Sequence, residues 1–165
     1  ALWSLQVAFK KSDVPDLPAG FGFLIPAAEN IPFLGVIFRS LVFPDFAPAD
    51  QVLFTIFTGG AHQASLLQNA DPVVLAGHII QSLQKLLKIK EEPVFQQLKQ
   101  WPRAIPQLNV EHHAIMKNIR SFEQQHPGFY FTGNYINGVS IGDVIKGSKD
   151  LVNKYFSADK TVSSL

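Results

Sequence analysis

The sequence contains no cysteine, and this absence excludes several kinds of chemistry at once. A chain of 165 residues without a thiol forms no disulfide, has no thiolate nucleophile and builds no zinc–thiolate site. Charged residues are also scarce, at 16% of the chain, and the net charge is only +1. Because acidic and basic residues are spread evenly along the chain, we predict no basic surface for nucleic acid.

Motifs that mark several common active sites are missing as well. There is no Walker loop and no Gly-x-Gly-x-x-Gly fingerprint, so the chain has no phosphate-binding loop of its own. No Gly-x-Ser-x-Gly elbow supports serine hydrolysis. His112 and His113 are adjacent, so on a helix their side chains diverge by about 100° and do not form a metal-binding pair. We therefore predict no metal site and assign no catalytic acid or base in this chain.

Patterns typical of targeting and membrane-spanning segments are not seen in these 165 residues. No run approaches the roughly 18 apolar residues of a spanning helix, and no signal-peptide pattern is present. The chain begins at Ala1, without an initiator Met, inside a segment typical of a strand. We interpret it as the C-terminal part of a longer protein, which we expect to be cytoplasmic or peripherally bound to a membrane.

Apolar residues are abundant, at 47% of the chain with fourteen Phe, and they are enough for a core. This excess of apolar residues predicts further apolar surface that is buried against a partner, an apolar ligand or a membrane face. Aromatic and β-branched runs bounded by Pro, Gly or Asp predict an antiparallel meander that follows a first strand. The predicted strands span residues 2–9, 20–26, 34–40 and 52–58.

The second half of the chain has mainly helical periodicity. Asp71 followed by Pro72 predicts a capped helix start, and apolar spacing predicts helices over residues 72–89, 110–125 and 140–156. A short strand is predicted at residues 129–133, whereas residues 93–108 have a mixed pattern broken by prolines. Residues 157–165 are predicted to be a frayed tail.

Two glycine-bearing segments and one tryptophan predict close contacts. Gly20-Phe-Gly22 is typical of a strand approached closely by another backbone or a flat ligand. Gly138 lets the backbone come close to whatever lies at its turn. Ser140 is a natural N-cap with Asp143 three residues later, and a helix start exposes N–H donors that suit an electron-rich ligand edge. Trp101 is interpreted either as a core residue or as a wall against a planar cofactor.

Six segments in this order resemble the C-terminal part of the protoporphyrinogen oxidase family, within the flavin monoamine-oxidase-like superfamily. They are Gly20-Phe-Gly-Phe-Leu-Ile-Pro26, Leu34-Gly-Val-Ile-Phe38, Phe43-Pro-Asp-Phe-Ala-Pro48, Phe57-Thr-Gly-Gly60, Trp101-Pro-Arg-Ala-Ile-Pro-Gln107 and Pro127-Gly…Gly133-Asn-Tyr…Gly138-Val-Ser140.

The resemblance implies an α/β (α+β) architecture, the C-terminal portion of a two-domain flavin amine-oxidase-like fold. An antiparallel or mixed substrate-domain sheet is expected beside the closing strand and helix of a Rossmann-like FAD domain. Residues 1–108 would belong to the substrate-binding domain, 109–126 to a connecting helix and 127–156 to the FAD domain. The FAD-binding N-terminal half would be missing from this chain.

The resemblance further implies an FAD-dependent enzyme of haem biosynthesis. Such enzymes remove six electrons from protoporphyrinogen IX in three two-electron steps, with oxygen or another electron acceptor. Close relatives use coproporphyrinogen III. The resemblance implies two partners, the missing N-terminal half and the porphyrinogen substrate. It is also compatible with a homodimer. Peripheral membrane association is expected.

The resemblance also implies roles for eight residues. Leu24, Ile37 and Phe57 match the residues that line the substrate site, and one sheet face could present all three; the alternative is that they only pack in the core. The residues that match the cofactor site are Trp101 near the flavin and, at the helix start, Gly138, Val139, Ser140 and Ile141. The helix-start N–H groups would stabilise negative charge at the N1–C2=O2 edge of reduced flavin.

The chain departs from the family at identifiable places. The N-terminal glycine fingerprint for the FAD diphosphate and an upstream substrate-binding arginine are absent, and Glu111 stands where the family pattern has glycine. Two other functions stay open. One is another flavin oxidase or desaturase of the superfamily; the other is a non-enzymatic module that holds a tetrapyrrole in an apolar cleft.

Overall fold

The computed structural model of the chain describes residues 1–15, 17–61 and 63–156. Its backbone contacts divide the chain into two compact units, Ala1–Ala104 and a second unit that begins at Ile105. The tail predicted at residues 157–165 lies outside the described residues.

The first unit is built on a five-stranded sheet. Every neighbouring pair of strands is antiparallel, and the strand order is β2-β3-β4-β1-β5. The predicted meander is confirmed as β2, β3 and β4, and β1 lies between β4 and β5. The strand bounds are Leu2–Lys10 (β1), Gly22–Leu24 (β2), Gly35–Phe38 (β3), Gln51–Gly59 (β4) and Phe95–Trp101 (β5).

Strand β5 lies within residues 93–108, whose sequence pattern is mixed and predicts no strand. Gln and Lys dominate its interior, and such residues have weak intrinsic strand preference. It forms because β1 offers a paired edge, with Leu2 opposite Trp101 and Ala8 opposite Phe95. Because β5 is an edge strand, one half-buried apolar side chain that packs against the core, Leu98, is enough to anchor it.

Three helices complete the first unit: α1 (Arg39–Val42), α2 (Ala64–Gln68) and α3 (Pro72–Leu87). Short 3-10 turns occur at Lys11–Asp13, Ala27–Glu29 and Pro44–Phe46. The predicted start of α3 is confirmed, since the Asp71 carboxylate accepts hydrogen bonds from the N–H groups of Val73 and Val74 at 2.8 and 3.0 Å. The helix ends at Leu87, followed by Lys88 in a left-handed conformation.

The core forms where α3 packs against one face of the sheet, the core face. Alternate strand residues point to this face, among them Leu5, Phe54 and Ile56, and they are joined by Ile79 and Leu83 of the helix. All five are almost fully buried. Burial of each such side chain stabilises the fold by about 1.5–3 kcal/mol, so this face holds the first unit together.

Gly22 explains how β2 reaches its place in the sheet. A Cβ atom at this position would overlap the carbonyl oxygen of Val36 on the neighbouring strand. Its φ of 153° is also one that other residues rarely adopt. The predicted close approach of another backbone is therefore confirmed at Gly22, whereas a Cβ atom at Gly20 would meet nothing within 4 Å.

The second unit contains two helices, α4 (His112–Gln125) and α5 (Ile141–Phe156), and none of its described residues is buried. The strand predicted at residues 129–133 is not formed. A strand needs a hydrogen-bonded neighbour, and all strands of the described chain belong to the first unit. The N–H of Phe131 instead donates to the Glu123 side chain at 2.8 Å.

Aromatic stacking orders the segment between α4 and α5. Phe122 of α4 makes edge contacts with the rings of Phe129 and Phe131. The rings of Tyr130 and Tyr155 stack with their centres 4.0 Å apart.

Within the described residues, no helix combines the length and apolar character needed to cross a membrane.

Candidate functional site

The three residues predicted to line a substrate site share one face of the sheet. Leu24, Gly35 and Phe57 are paired in register across β2, β3 and β4, and Ile37 lies two residues along β3 from Gly35. Because side chains alternate along a strand, Leu24, Ile37 and Phe57 point to the same side. That side is opposite the core face, and we call it the second face; it also carries Ser4, Gln6, Thr55 and Trp101.

These three side chains are outside the buried core. Leu24 is 84% exposed, while Ile37 and Phe57 are half-buried. The sequence prediction that one sheet face presents all three is therefore confirmed in its geometry. The alternative, that they are core residues, is wrong for this structure, because the core occupies the other face. Their role toward a substrate stays a prediction.

A cavity of about 390 Å³ lies on the second face. Its volume is within the range of roughly 300–1,000 Å³ typical of small-molecule sites. It brings the predicted substrate residue Phe57 and the predicted cofactor residue Trp101 to one place. The lining residues are Leu2, Ser4, Gln6, Arg39, Thr55, Phe57, Trp101 and Ala104.

Trp101 forms a fixed aromatic wall of this cavity. It is nearly half exposed at the end of β5, so it is not a core residue. Its indole N–H donates to the Ser4 hydroxyl at 3.1 Å, which holds the ring in one orientation. The Lys99 ammonium lies 5.3 Å from the ring centre. The indole therefore offers a rigid flat surface to a planar molecule.

The floor of the cavity is polar, and its polar groups are paired. Ser4 and Thr55 are buried on the second face. The Thr55 hydroxyl donates to the Gln6 side-chain oxygen at 2.8 Å, and Ser4 accepts from Trp101. Within the described residues, no buried side-chain N or O atom lacks a partner. The buried floor of the cavity therefore leaves no orphaned donor or acceptor for a ligand to satisfy.

Arg39 supplies positive charge to the cavity, although no sequence motif marks it. It directly follows β3 and is half-buried. Its guanidinium carbon lies 4.3 Å from the ring centre of Phe46 and 5.2 Å from that of Phe43. The signal in the sequence was a lone cation after an apolar strand, just before the aromatic pair of residues 43–46.

A larger cavity, of about 640 Å³, lies between α3 and β5. Pro72, Gly77, Ile80 and several glutamines line it, and Glu92 is its one ionisable side chain. None of the predicted site residues borders it. Since converging aromatic, polar and charged groups mark a ligand site better than volume alone, we take the cavity at Phe57 and Trp101 as the candidate site.

The predicted cofactor residues 138–141 form the start of α5 in the second unit. The Ser140 hydroxyl accepts from the Asp143 N–H at 3.0 Å and donates to the Asp143 carboxylate at 2.6 Å, so the predicted pairing of cap and acid is confirmed. Gly138 has a φ of 125°, and a Cβ atom there would lie 2.8 Å from that carboxylate. Glycine is therefore required at this turn.

This helix start fits the edge of a flavin ring in two respects. The first-turn N–H groups of Ile141 and Gly142 have no acceptor within the helix, and the Ile141 side chain is 81% exposed beside them. A flavin ring has a polar edge, which can accept from these N–H groups, and an apolar face, which can pack on the Ile141 side chain. Asp143 adds a negative charge in the same turn. A flavin edge would therefore be bound here by the directed N–H donors and not by net positive charge.

Two further observations concern ionisable groups. The pKa of Lys154 is raised, chiefly by a hydrogen bond with Tyr155, and this group lies at the far end of α5 from residues 138–141. Within the residues that the structure describes, no three His, Asp or Glu side chains come together to hold a metal ion.

The family model of flavin containing amine oxidoreductases matches residues 3–149. The chain therefore belongs to this family, and the flavin cofactor predicted from the sequence, FAD, agrees with that membership. The predicted mixed fold is confirmed as well. A crystal structure of a candidate protoporphyrinogen oxidase from Exiguobacterium sp. 255-15 covers 93% of this chain at 21% identity, with a TM-score of 0.75.

Among curated proteins, the chain is similar to porphyrinogen-oxidising enzymes. It is 34% identical to protoporphyrinogen oxidase 2 of Arabidopsis thaliana, over 93% of this chain and 31% of the relative. For the mitochondrial protoporphyrinogen oxidase of Nicotiana tabacum the identity is 30%, over 94% and 32%. Coproporphyrinogen III oxidase of Bacillus subtilis (strain 168) is 25% identical, over 91% and 32%. The chain thus spans about a third of the length of these relatives.

Proposed function

We propose that the protein containing this chain oxidises protoporphyrinogen IX to protoporphyrin IX with FAD. The observation that supports this most directly is the second face, where Leu24, Ile37 and Phe57 lie outside the core beside a cavity walled by Trp101. Membership of a flavin-containing family and the similarity to protoporphyrinogen oxidases support the same reaction.

The second face has the surface that a porphyrinogen requires. This substrate is a large apolar disc with acidic arms, so its binding depends on burying flat hydrophobic area. Leu24, Ile37 and Phe57 would contact the disc, and Trp101, which borders the same cavity, would keep the place near the flavin that the resemblance implies. The paired floor of Ser4, Gln6 and Thr55 keeps its hydrogen bonds while the disc excludes water above it.

When bound, FAD would supply the redox chemistry for three two-electron oxidations, in each of which the porphyrinogen loses a hydride to the flavin and a proton to solvent. In this proposal, residues 138–141 orient the ring through backbone N–H donors and the exposed apolar side chain of Ile141. Residues 1–108 then serve the substrate domain, 109–126 the connecting helix and 127–156 the FAD domain. No residue of this chain is given a proton-transfer role.

The partners of this reaction form part of the same proposal. The N-terminal half would supply the FAD diphosphate site, and oxygen or another acceptor would take the electrons from reduced flavin. Homodimer formation and peripheral membrane association are hypotheses that size measurements and vesicle co-sedimentation of the longer protein would test.

The test is a spectrum followed by a fluorescence assay on the longer protein that carries this chain. Flavin absorbance, together with porphyrin emission that grows faster than in a heat-denatured control, would support the proposal. Flavin without emission would retain the family and reject this substrate; amine or carotenoid oxidation would then identify the other flavin enzyme. Porphyrin binding without flavin would favour the non-enzymatic module.

A variant pair links this activity to the second face. We expect Phe57→Ala to raise the KM for protoporphyrinogen roughly tenfold, because it removes apolar contact that substrate and transition state both use. Phe95→Ala is the matched control, since Phe95 lies on the same face four residues along the ladder and does not line the cavity. Equal KM values for both variants would contradict the assigned substrate surface.

A second candidate substrate is coproporphyrinogen III, favoured by the similarity to the Bacillus subtilis enzyme. It has the same macrocycle and more acidic arms, so the same apolar face would suit it. Parallel assays with both porphyrinogens, compared by kcat/KM, would decide between them.

A further inference from the structure

We propose that Arg39 binds a carboxylate arm of the substrate at the cavity on the second face. This inference rests on the proposed function and adds the group that would orient the macrocycle. Arg39 lines the same cavity as Phe57 and Trp101. One opening therefore combines a flat aromatic wall with a cation, the two features that a flat acid requires.

The guanidinium of Arg39 is held by aromatic rings and has no carboxylate partner within the described residues. Its only hydrogen-bonding, ionic or ring contacts among them are with the rings of Phe43 and Phe46, at 5.2 and 4.3 Å from their centres. Asp45 lies between these phenylalanines in sequence yet forms no ion pair with Arg39. The N–H donors of the planar guanidinium therefore stay available to an incoming carboxylate.

Ring contacts prepare this side chain for binding. A free arginine loses rotamer freedom when it grips a ligand, which weakens the interaction. Packing of Arg39 against the two aromatic rings, together with its half-buried position, restricts that freedom beforehand. The planar fork then matches a carboxylate with two parallel hydrogen bonds, and lower exposure reduces screening by water.

The charges of the second face favour an acid over a base. The strand register assigns Lys10 and Lys99 to this face, and no Asp or Glu of the five strands points to it. Lys99 also lies against the Trp101 ring. The charged strand residues of this face are therefore all positive, and Arg39 adds a further cation at the cavity, which favours a molecule with carboxylate arms.

The test compares an acid with its ester on the longer, flavin-containing protein. Protoporphyrin IX and its dimethyl ester share the macrocycle, but only the acid carries carboxylates. Equilibrium binding of each is measured by porphyrin fluorescence for wild type, Arg39→Gln, Arg39→Lys and Lys85→Gln. Lys85 is an exposed cation on α3, the helix that packs on the core face, so it is the matched charge control.

We expect wild type and Lys85→Gln to bind the acid at least about tenfold tighter than the ester. Arg39→Gln should lose most of this preference and bind the ester like wild type. Arg39→Lys should keep an intermediate preference, because it retains the charge without the fork. In turnover, Arg39→Gln should raise KM with little change in kcat.

Several results would overturn the role of Arg39. A wild-type protein that turns over protoporphyrinogen but binds acid and ester equally would leave the proposed function standing and refute this inference. An unchanged preference in Arg39→Gln would do the same. Failure of wild type to bind either porphyrin or to turn over the substrate would reject both proposals. If Arg39→Gln loses its flavin spectrum or its melting transition, the acid-to-ester ratio of Arg39→Lys decides: a reduced ratio supports the inference, and an unchanged ratio refutes it.

Discussion

The two units of the chain use their apolar residues in opposite ways. In Ala1–Ala104, the sheet and α3 bury a continuous cluster that includes Phe9, Phe54 and Ile79. From Ile105 on, no described residue is buried, although α4 and α5 carry exposed apolar side chains such as Ile115 and Ile145. The first unit thus has its own core, whereas the second depends on local contacts.

The local contacts of the second unit are weaker than a core. Ring pairs such as Phe122 with Phe131 and Tyr130 with Tyr155 contribute about 0.5–1.5 kcal/mol each beyond the area they bury. A large exposed apolar surface is typical of a part that another surface covers. Short helices without such cover are marginal in water. The comparison therefore predicts that the first unit is the more stable of the two.

Natural reporters separate the two units. Both tryptophans, Trp3 and Trp101, belong to the first unit, and all three tyrosines, Tyr130, Tyr135 and Tyr155, belong to the second. Denaturation followed by tryptophan fluorescence and by the tyrosine near-ultraviolet signal can therefore report on each unit in the same sample.

The largest expected effect is that of Phe54→Ala. Phe54 is fully buried and makes edge contacts with the rings of Phe9 and Phe38. Loss of the ring leaves a cavity in the core, so we expect the free energy of unfolding to fall by about 3–5 kcal/mol. Urea denaturation followed by tryptophan fluorescence measures this change.

Phe122→Ala is the matched control for that experiment. Phe122 has three aromatic neighbours but is partly exposed, so its loss should change the tryptophan transition by less than about 0.5 kcal/mol. If both variants destabilise the tryptophan transition equally, the proposed difference between the units is wrong.

A smaller effect is expected from Asp71→Ala. The Asp71 carboxylate caps α3 through two backbone N–H groups, and α3 covers the core face. We expect a loss of about 1 kcal/mol in the same tryptophan transition. Asp50→Ala serves as the control, because Asp50 is an exposed acid that caps no helix of the described chain. No change in Asp71→Ala would show that α3 does not unfold together with the sheet.

The smallest expected effect on stability is that of Ser140→Ala. Its hydroxyl caps α5, but α5 has no buried residue, so we expect about 0.5–1 kcal/mol, confined to the tyrosine signal. A shift of the tryptophan transition would contradict the separation of the two units. In the longer protein, weaker retention of flavin by this variant would support the proposed role of residues 138–141.

Local sequence patterns predicted much of the fold. Alternation and aromatic runs located β1 to β4, and the Asp71–Pro72 pair located the start of α3. These signals succeed because hydrophobic period and capping chemistry act over a few residues. The prediction failed for β5, whose residues favour a strand only beside β1, and for residues 129–133, whose strand-forming aromatic residues have no strand to pair with.

The candidate site was predicted only in part for a related reason. Leu24, Ile37 and Phe57 came from a resemblance, and the strand register then placed them on one face. Arg39 and Ser4 had no motif to mark them. Strand alternation could have shown that Ser4 and Gln6 oppose Leu5 and Val7. However, contact of Arg39 with this face depends on how α1 leaves β3.

By itself, the sequence determined β1 to β4 and the helices α3, α4 and α5, the absence of thiol chemistry, the capped starts of α3 and α5 and a family resemblance. Each of these depends on neighbouring residues or on the composition of the whole chain. Tertiary structure alone decided which face of the sheet is core, that β5 forms, and that Arg39, Phe57 and Trp101 border one cavity. The reason is that strand register and helix packing join residues far apart in the chain, and no local pattern encodes which partners will be available.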